Sequence, residues 1–239
     1  MFYGTRLPLI RIYSYGCSIV EELYIDSVAH RYGDRQVLNN VYLTCKVGEV
    51  VGVLGRNGCG KSTLLKIIFG TIKPSYKHLK VNDVLVQKGY ETKKISYLPQ
   101  HNFIPAKLKI DTLLKLYINK YLPDIMEIEL IKNNLKNRIG DLSGGQRRLV
   151  ECLLILYSDS EFIILDEPFS QLAPNVIDEI HHYMLKLKTA KGFIVTDHYY
   201  QQILSISTRI VLIHNGCNYN INNEDDLILH GYLPSRTFS

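Results

Sequence analysis

Apolar and polar residues alternate in part over residues 23–28 and again over 41–47, and each run predicts a strand. Residues 49–54 (Glu-Val-Val-Gly-Val-Leu) read as a buried strand. A glycine-rich loop follows, and then a helix is predicted over 61–69. Residues 81–86 and 95–98 predict further short strands. Between 111 and 136 the period changes: Leu113, Leu114, Leu116, Tyr117 and Ile118, then Ile125, Ile128, Ile131 and Leu135, recur at helical spacing. These are read as the core of an inserted helical block, with another helix over 146–157. Strands return at 162–165, 193–196 and 210–213 with helices between them. That alternation predicts an α/β fold with a mostly parallel sheet.

Composition adds limits. The chain has 239 residues, 46% hydrophobic and 21% charged, which suits an ordinary globular domain. No apolar run approaches the ~18 residues that cross a bilayer, so any membrane path must come from another chain. The net charge of +5 is spread along the sequence and reads as a solvated basic surface. Five cysteines (17, 45, 59, 152 and 217) form no C-x-x-C pair, which points to a reducing cytosol rather than a disulfide framework or a zinc site. Residues 1–21 show no clean period and no secretory signal, and are expected to lie outside the fold, which then spans 22–239.

Three segments carry chemistry. Gly55-Arg56-Asn57-Gly58-Cys59-Gly60-Lys61-Ser62, followed by Thr63, fits G-x-x-x-x-G-K-[ST] in the required strand–loop–helix context. Its glycines let successive backbone N–H groups face a β-phosphate beside a helix N-terminus. Lys61 reaches the β- and γ-phosphates and the Ser62 hydroxyl ligates Mg²⁺. Cys59 needs to supply only backbone there. A bare glycine turn would not demand Lys-Ser at its end. Some eighty residues later comes Leu142-Ser143-Gly144-Gly145-Gln146, which opens a helix. Next, residues 162–168 form an apolar run closing on Asp166, Glu167 and Pro168. Both carboxylates emerge at the carboxyl end of a strand, where open α/β sheets place ligands.

In this order and spacing the three segments resemble the ATP-binding cassette (ABC) ATPase family over roughly residues 22–216. The resemblance implies a P-loop core, an antiparallel β subdomain and a helical subdomain inserted at about 101–157. It gives Asp166 the Mg²⁺ ion through water and makes Glu167 the general base. It identifies His198 with the switch histidine that meets the γ-phosphate. It identifies Gln100, in Leu98-Pro99-Gln100, with the glutamine that touches Mg²⁺ and the attacking water and begins the segment facing a membrane partner. Tyr32, 23 residues before Gly55, takes the place of the aromatic that stacks on adenine. Ser143, Gly144, Gly145 and Gln146 complete the ATP site of a facing subunit, so the resemblance implies a dimer of this chain with itself or with a homologous ATPase subunit.

The activity implied is ATP hydrolysis driving integral-membrane transporter subunits, on the cytoplasmic face and without nucleic acid. A soluble ABC ATPase acting on nucleic acid or ribosomes is disfavoured, since such proteins usually carry two cassettes, a long coiled coil or zinc modules. A poorly hydrolysing ATP-binding switch is disfavoured by Lys61, Glu167 and His198. Residues 195–198 (Val-Thr-Asp-His) and the short helical block resemble the branch with lipopolysaccharide-export and branched-chain amino-acid ATPases. One position departs from the pattern. Residues 170–174 read Ser-Gln-Leu-Ala-Pro, so Ala173 stands where the family usually has an aspartate that reaches across the dimer.

Overall fold

The computed structural model describes residues 21–234, so the expectation for residues 1–20 lies outside the described residues. Two sheets face each other. The first is antiparallel: β1 (Glu22–Tyr32) and β2 (Arg35–Lys46) form a hairpin, and β4 (Tyr76–Val81) and β5 (Val84–Leu85) a second, in the order β2-β1-β4-β5. The second contains β3 (Val50–Leu54), β6 (Ile95–Leu98), β7 (Phe162–Asp166), β8 (Gly192–Thr196), β9 (Arg209–His214) and β10 (Cys217–Ile221). Its order is β10-β9-β3-β8-β7-β6, parallel throughout except for β10.

The apolar strands explain the layering. Every residue of β3, β7 and β8 is buried, as expected where both faces of a parallel sheet are covered. Along β3, Val50 and Leu54 face one core while Val51 and Val53 face the other. The second core fills the space between the two sheets around α1 (Lys61–Phe69). The first lies under α2 (Ile110–Tyr117), α3 (Leu122–Met126), α4 (Glu129–Asn134), α5 (Gly144–Leu156), α6 (Pro174–Leu187), α7 (Tyr200–Ile206) and α8 (Glu224–Leu229).

Three expectations need correction. Residues 81–86 are not one strand but the bend of a hairpin: Asn82 and Asp83 both take left-handed backbone (φ 51° and 61°), and β4 turns back into β5. Two consecutive left-handed residues make the tight turn that suits antiparallel strand twist, and Asn and Asp tolerate it. Leu116, read as helix core, is 69% exposed and stands on the open side of α2. Polar residues in Cys217–Ile221 hid the antiparallel edge strand β10, which pairs with β9 along its length.

Candidate nucleotide and metal site

The phosphate loop joins β3 to α1. Gly60 is the residue before α1 and has φ 110°, which a side chain would resist; an added Cβ would sit 2.8 Å from Leu38 and 2.9 Å from Val37. Gly55 is as restricted: φ is 153° and a Cβ would meet the Ile213 carbonyl at 2.6 Å. The buried Lys61 ammonium donates to the Gly55 carbonyl at 2.7 Å and to that of Arg56 at 3.4 Å. The lysine is thus folded back on its own loop.

Beyond Lys61, the side chain of Ser62 donates to Asp166 Oδ1 at 2.8 Å. Tyr97, on β6, donates to Asp166 Oδ2, also at 2.8 Å. Burial first, and then the adjacent carboxylate, push the Tyr97 phenol up, so it stays a neutral donor. Asp166 is fully buried, and among the described residues its oxygens meet only these two hydroxyls.

Glu167 follows in left-handed backbone (φ 52°), a conformation costing about 1–2 kcal/mol for a residue with a side chain. It is held there from both sides. Its N–H donates to the Thr196 carbonyl at 2.8 Å, and its carbonyl accepts from Arg148 at 3.3 Å. Its carboxylate accepts from Gln100 Nε2 at 2.6 Å, lies 2.8 Å from His198 Nε2, and accepts a longer bond from Ser170 at 3.4 Å. Strain concentrated at one acidic side chain, with three donors turned on it, is a feature of reactive sites.

Some of these groups line an open cleft of about 510 Å³, within the range of small-molecule sites. Tyr32, Asn57, Gly58, Gly60, Lys61, Ser62, Thr63, Gln100, Glu167 and His198 line it. Tyr32 closes β1. Its hydroxyl is 3.4 Å from Thr63 Oγ1, its ring packs edge-on against His30 at 4.6 Å, and half of its surface is exposed. Arg56 and Cys59 face the other side of the loop, beside His214 and Asn215, and Arg56 donates to the Gly231 carbonyl at 2.5 Å. Burial raises the Cys59 thiol, so it is not a reactive thiolate.

Ser143, Gly144, Gly145 and Gln146 lie apart from this cleft. Ser143 and Gln146 form a reciprocal cap at the start of α5, with bonds of 3.3 and 3.1 Å. Nothing lies within 4 Å of where a Gly144 Cβ would be, so this end of the helix is open to an outside group.

Three residues of the site were missed from sequence. Tyr97 looked like one of 17 tyrosines, and only the pairing of β6 with β7 brings it to Asp166. Arg148 is nearly buried and also donates to the Pro99 carbonyl at 2.9 Å, joining α5 to Gln100 and Glu167; a charge entering an apolar helix was its only signal. The buried Asp197 carboxylate accepts from the backbone of Phe169 at 2.9 Å and Tyr199 at 3.0 Å, fixing the loops after β7 and β8.

Oxygen donors from Ser62 and Asp166 fit Mg²⁺, which takes one or two protein ligands and completes its shell with water and substrate phosphates. The buried Asp166 carboxylate, met by the neutral hydroxyls of Ser62 and Tyr97, fits the same ion.

The chain is similar to known proteins in sequence and in fold. The model of the ABC transporter family matches residues 38–170, more than half of the chain. The lipopolysaccharide export system ATP-binding protein LptB of Escherichia coli is 31% identical over 207 residues, covering 80% of this chain and 86% of that protein. The probable sulfate/thiosulfate import ATP-binding protein CysA of Chlorella vulgaris is 28% identical over 232 residues, covering 90% and 96%. Among solved structures, an ATP-binding subunit of an ABC transporter superposes with a TM-score of 0.76 at 23% identity, covering 87% of this chain and 93% of that one. The chain therefore belongs to the ABC transporter family, and is an ATPase subunit of its ATP-binding cassette type.

Proposed function

We propose that residues 22–239 form one ATPase domain, with a helical subdomain inserted at about 101–157, that hydrolyses Mg²⁺-ATP to drive separate membrane subunits. The observation that carries this reading is the Glu167 carboxylate, held between Gln100 and His198 in the same cleft that Lys61 and Ser62 line. In this reading Tyr32 stacks on adenine, and the backbone of residues 55–63 with the Lys61 ammonium cradles the phosphates. Ser62, Asp166 and Gln100 hold Mg²⁺, directly or through water. Held there, the ion would offset negative charge on the β- and γ-phosphates. Glu167 takes a proton from the attacking water as Gln100 orients it, and His198 meets the γ-phosphate.

The open α5 terminus at Ser143–Gly145 supports a head-to-tail dimer, in which this segment binds the γ-phosphate held by a second copy or a homologous subunit. A partner in the membrane is supported by a different surface. A groove of about 590 Å³ beside Gln100 is walled by Phe69, Tyr90, Tyr97, Phe103, Leu116 and Tyr117. No helix among the described residues is long and apolar enough to cross a membrane. We assign the groove to a cytoplasmic segment of the transporter's membrane subunit, which would hold this chain on the inner face of the membrane. The lipopolysaccharide-export relative supports the branch inferred from residues 195–198, while an import relative is as similar.

Direct binding of ATP tests the reading. Lys61→Ala removes a charge-assisted contact of about 1.5–3 kcal/mol, so affinity should fall about 10- to 100-fold. Wild-type affinity in that variant would overturn the phosphate-loop assignment.

A further inference from the structure

Tyr97 belongs to two surfaces at once. Its ring is part of the groove wall, stacked on Phe69 with 5.3 Å between centroids and 28° between planes. Its hydroxyl leaves the groove and donates to Asp166 Oδ2 at 2.8 Å. The fold dictates this reach. β6 pairs in parallel with β7, with Tyr97 opposite Ile164 and Leu98 opposite Leu165, so the phenol extends along β7 to the carboxylate that ends it.

The same groups clamp α1. Phe69 is its last residue and Ser62 its second, and Ser62 donates to the other oxygen of Asp166. One closed chain therefore runs from the Phe69 ring to the Tyr97 ring, through the phenol to Asp166, and through Ser62 back into the helix that starts at Lys61. With Oδ2 held by the phenol the carboxylate plane is fixed, and Oδ1, beside Ser62, is the oxygen it presents to a ligand. Partners that orient a ligating group in this way commonly set metal affinity within 10- to 100-fold.

We propose that Tyr97 is a positioning residue: its hydroxyl orients the metal-binding oxygen of Asp166, and its ring links that carboxylate to the groove assigned to the membrane partner. The proposal rests on the Mg²⁺ and groove assignments above. It gives the groove a route to the metal site that does not pass through Gln100. A segment pressing on the Phe69–Tyr97 stack displaces the phenol, and with it the carboxylate that Ser62 shares.

The test uses the full chain with ADP and Mn²⁺ as the spectroscopic substitute for Mg²⁺. Tyr97→Phe keeps the ring and its stacking but removes the hydroxyl. Electron paramagnetic resonance titration should show Mn²⁺ binding to the ADP complex about tenfold more weakly than in wild type. Affinity for ADP without metal should not change, whereas general damage to the site would lower both. Phe69→Leu, which removes the stacking partner and keeps the hydroxyl, should weaken Mn²⁺ binding less, in the same direction. Unchanged Mn²⁺ affinity in Tyr97→Phe overturns the proposal. Unchanged affinity in Phe69→Leu overturns the link to the groove. A wild-type ADP complex that binds no Mn²⁺ overturns the underlying metal site as well, which separates that failure from the other two.

Discussion

His198 Nε2 lies 2.8 Å from Glu167 Oε1, and this contact joins the loop after β8 to the residue after β7. The imidazole meets an acceptor-only carboxylate, so Nε2 carries a hydrogen in this arrangement. Asp197, the residue before the histidine, pins the same two loops through the backbone of Phe169 and Tyr199. His198→Ala removes the donor while leaving those pins in place. Steady-state turnover should fall about 10- to 100-fold with ATP affinity changed much less. Weaker ATP affinity with turnover at saturating ATP unchanged would instead make His198 a residue of ground-state binding.

The departure at Ala173 has a local meaning that the sequence pattern did not reveal. Ala173 precedes the first turn of α6 in extended backbone (φ −70°, ψ 149°), and no side chain caps the helix. Ala173→Asp supplies that cap and should stabilise the fold by about 1 kcal/mol, or about 2–4 °C in melting temperature for a chain of this size. If the aspartate also reaches across a dimer, turnover in the assembled transporter should rise about tenfold. A higher melting temperature with unchanged turnover would confine the effect to the helix.

Much of this site was legible because its elements are local. Residues 49–54 and 162–166 are apolar enough to be buried strands wherever they pair, and the motif residues that end them carry their own spacing. What escaped depended on pairing between distant segments. Tyr97 reaches Asp166, and Arg148 reaches the carbonyls of Pro99 and Glu167, only once β6, β7 and α5 are side by side. Helical period could not reveal that Leu116 faces outward either, because an exposed apolar residue and a core residue can share the same spacing. The Asn82–Asp83 bend was readable, since two polar turn residues interrupt the apolar run.

Lys191 makes stability depend on pH. Its fully buried ammonium donates to the Ser158 and Ser160 carbonyls and lies 4.8 Å over the Tyr121 ring. Burial pushes it down from 10.5 to about 8. Between those values the unfolded chain binds the extra proton, so this group makes stability rise with pH from about 8 to about 10.5. Tyr157, pushed up by burial from 10.0 to about 12, works the other way: its contribution is present below about pH 10 and is lost as pH rises toward 12. Urea unfolding at about pH 7.5 and about pH 9.5 should show a larger gain for wild type than for Lys191→Met. Equal gains would remove Lys191 as the source.

Glu167→Gln tests the central claim most directly, because it keeps the side chain's size while removing the base. ATP affinity should match wild type, and turnover measured under the same conditions should fall by about 10²–10⁴, the span that general base catalysis commonly supplies. With ATP and Mg²⁺ the variant should also elute as a dimer, its nucleotide trapped against Ser143 of the second copy. Turnover within a few fold of wild type, with ATP binding intact, would contradict the assignment of Glu167 as the group that activates water.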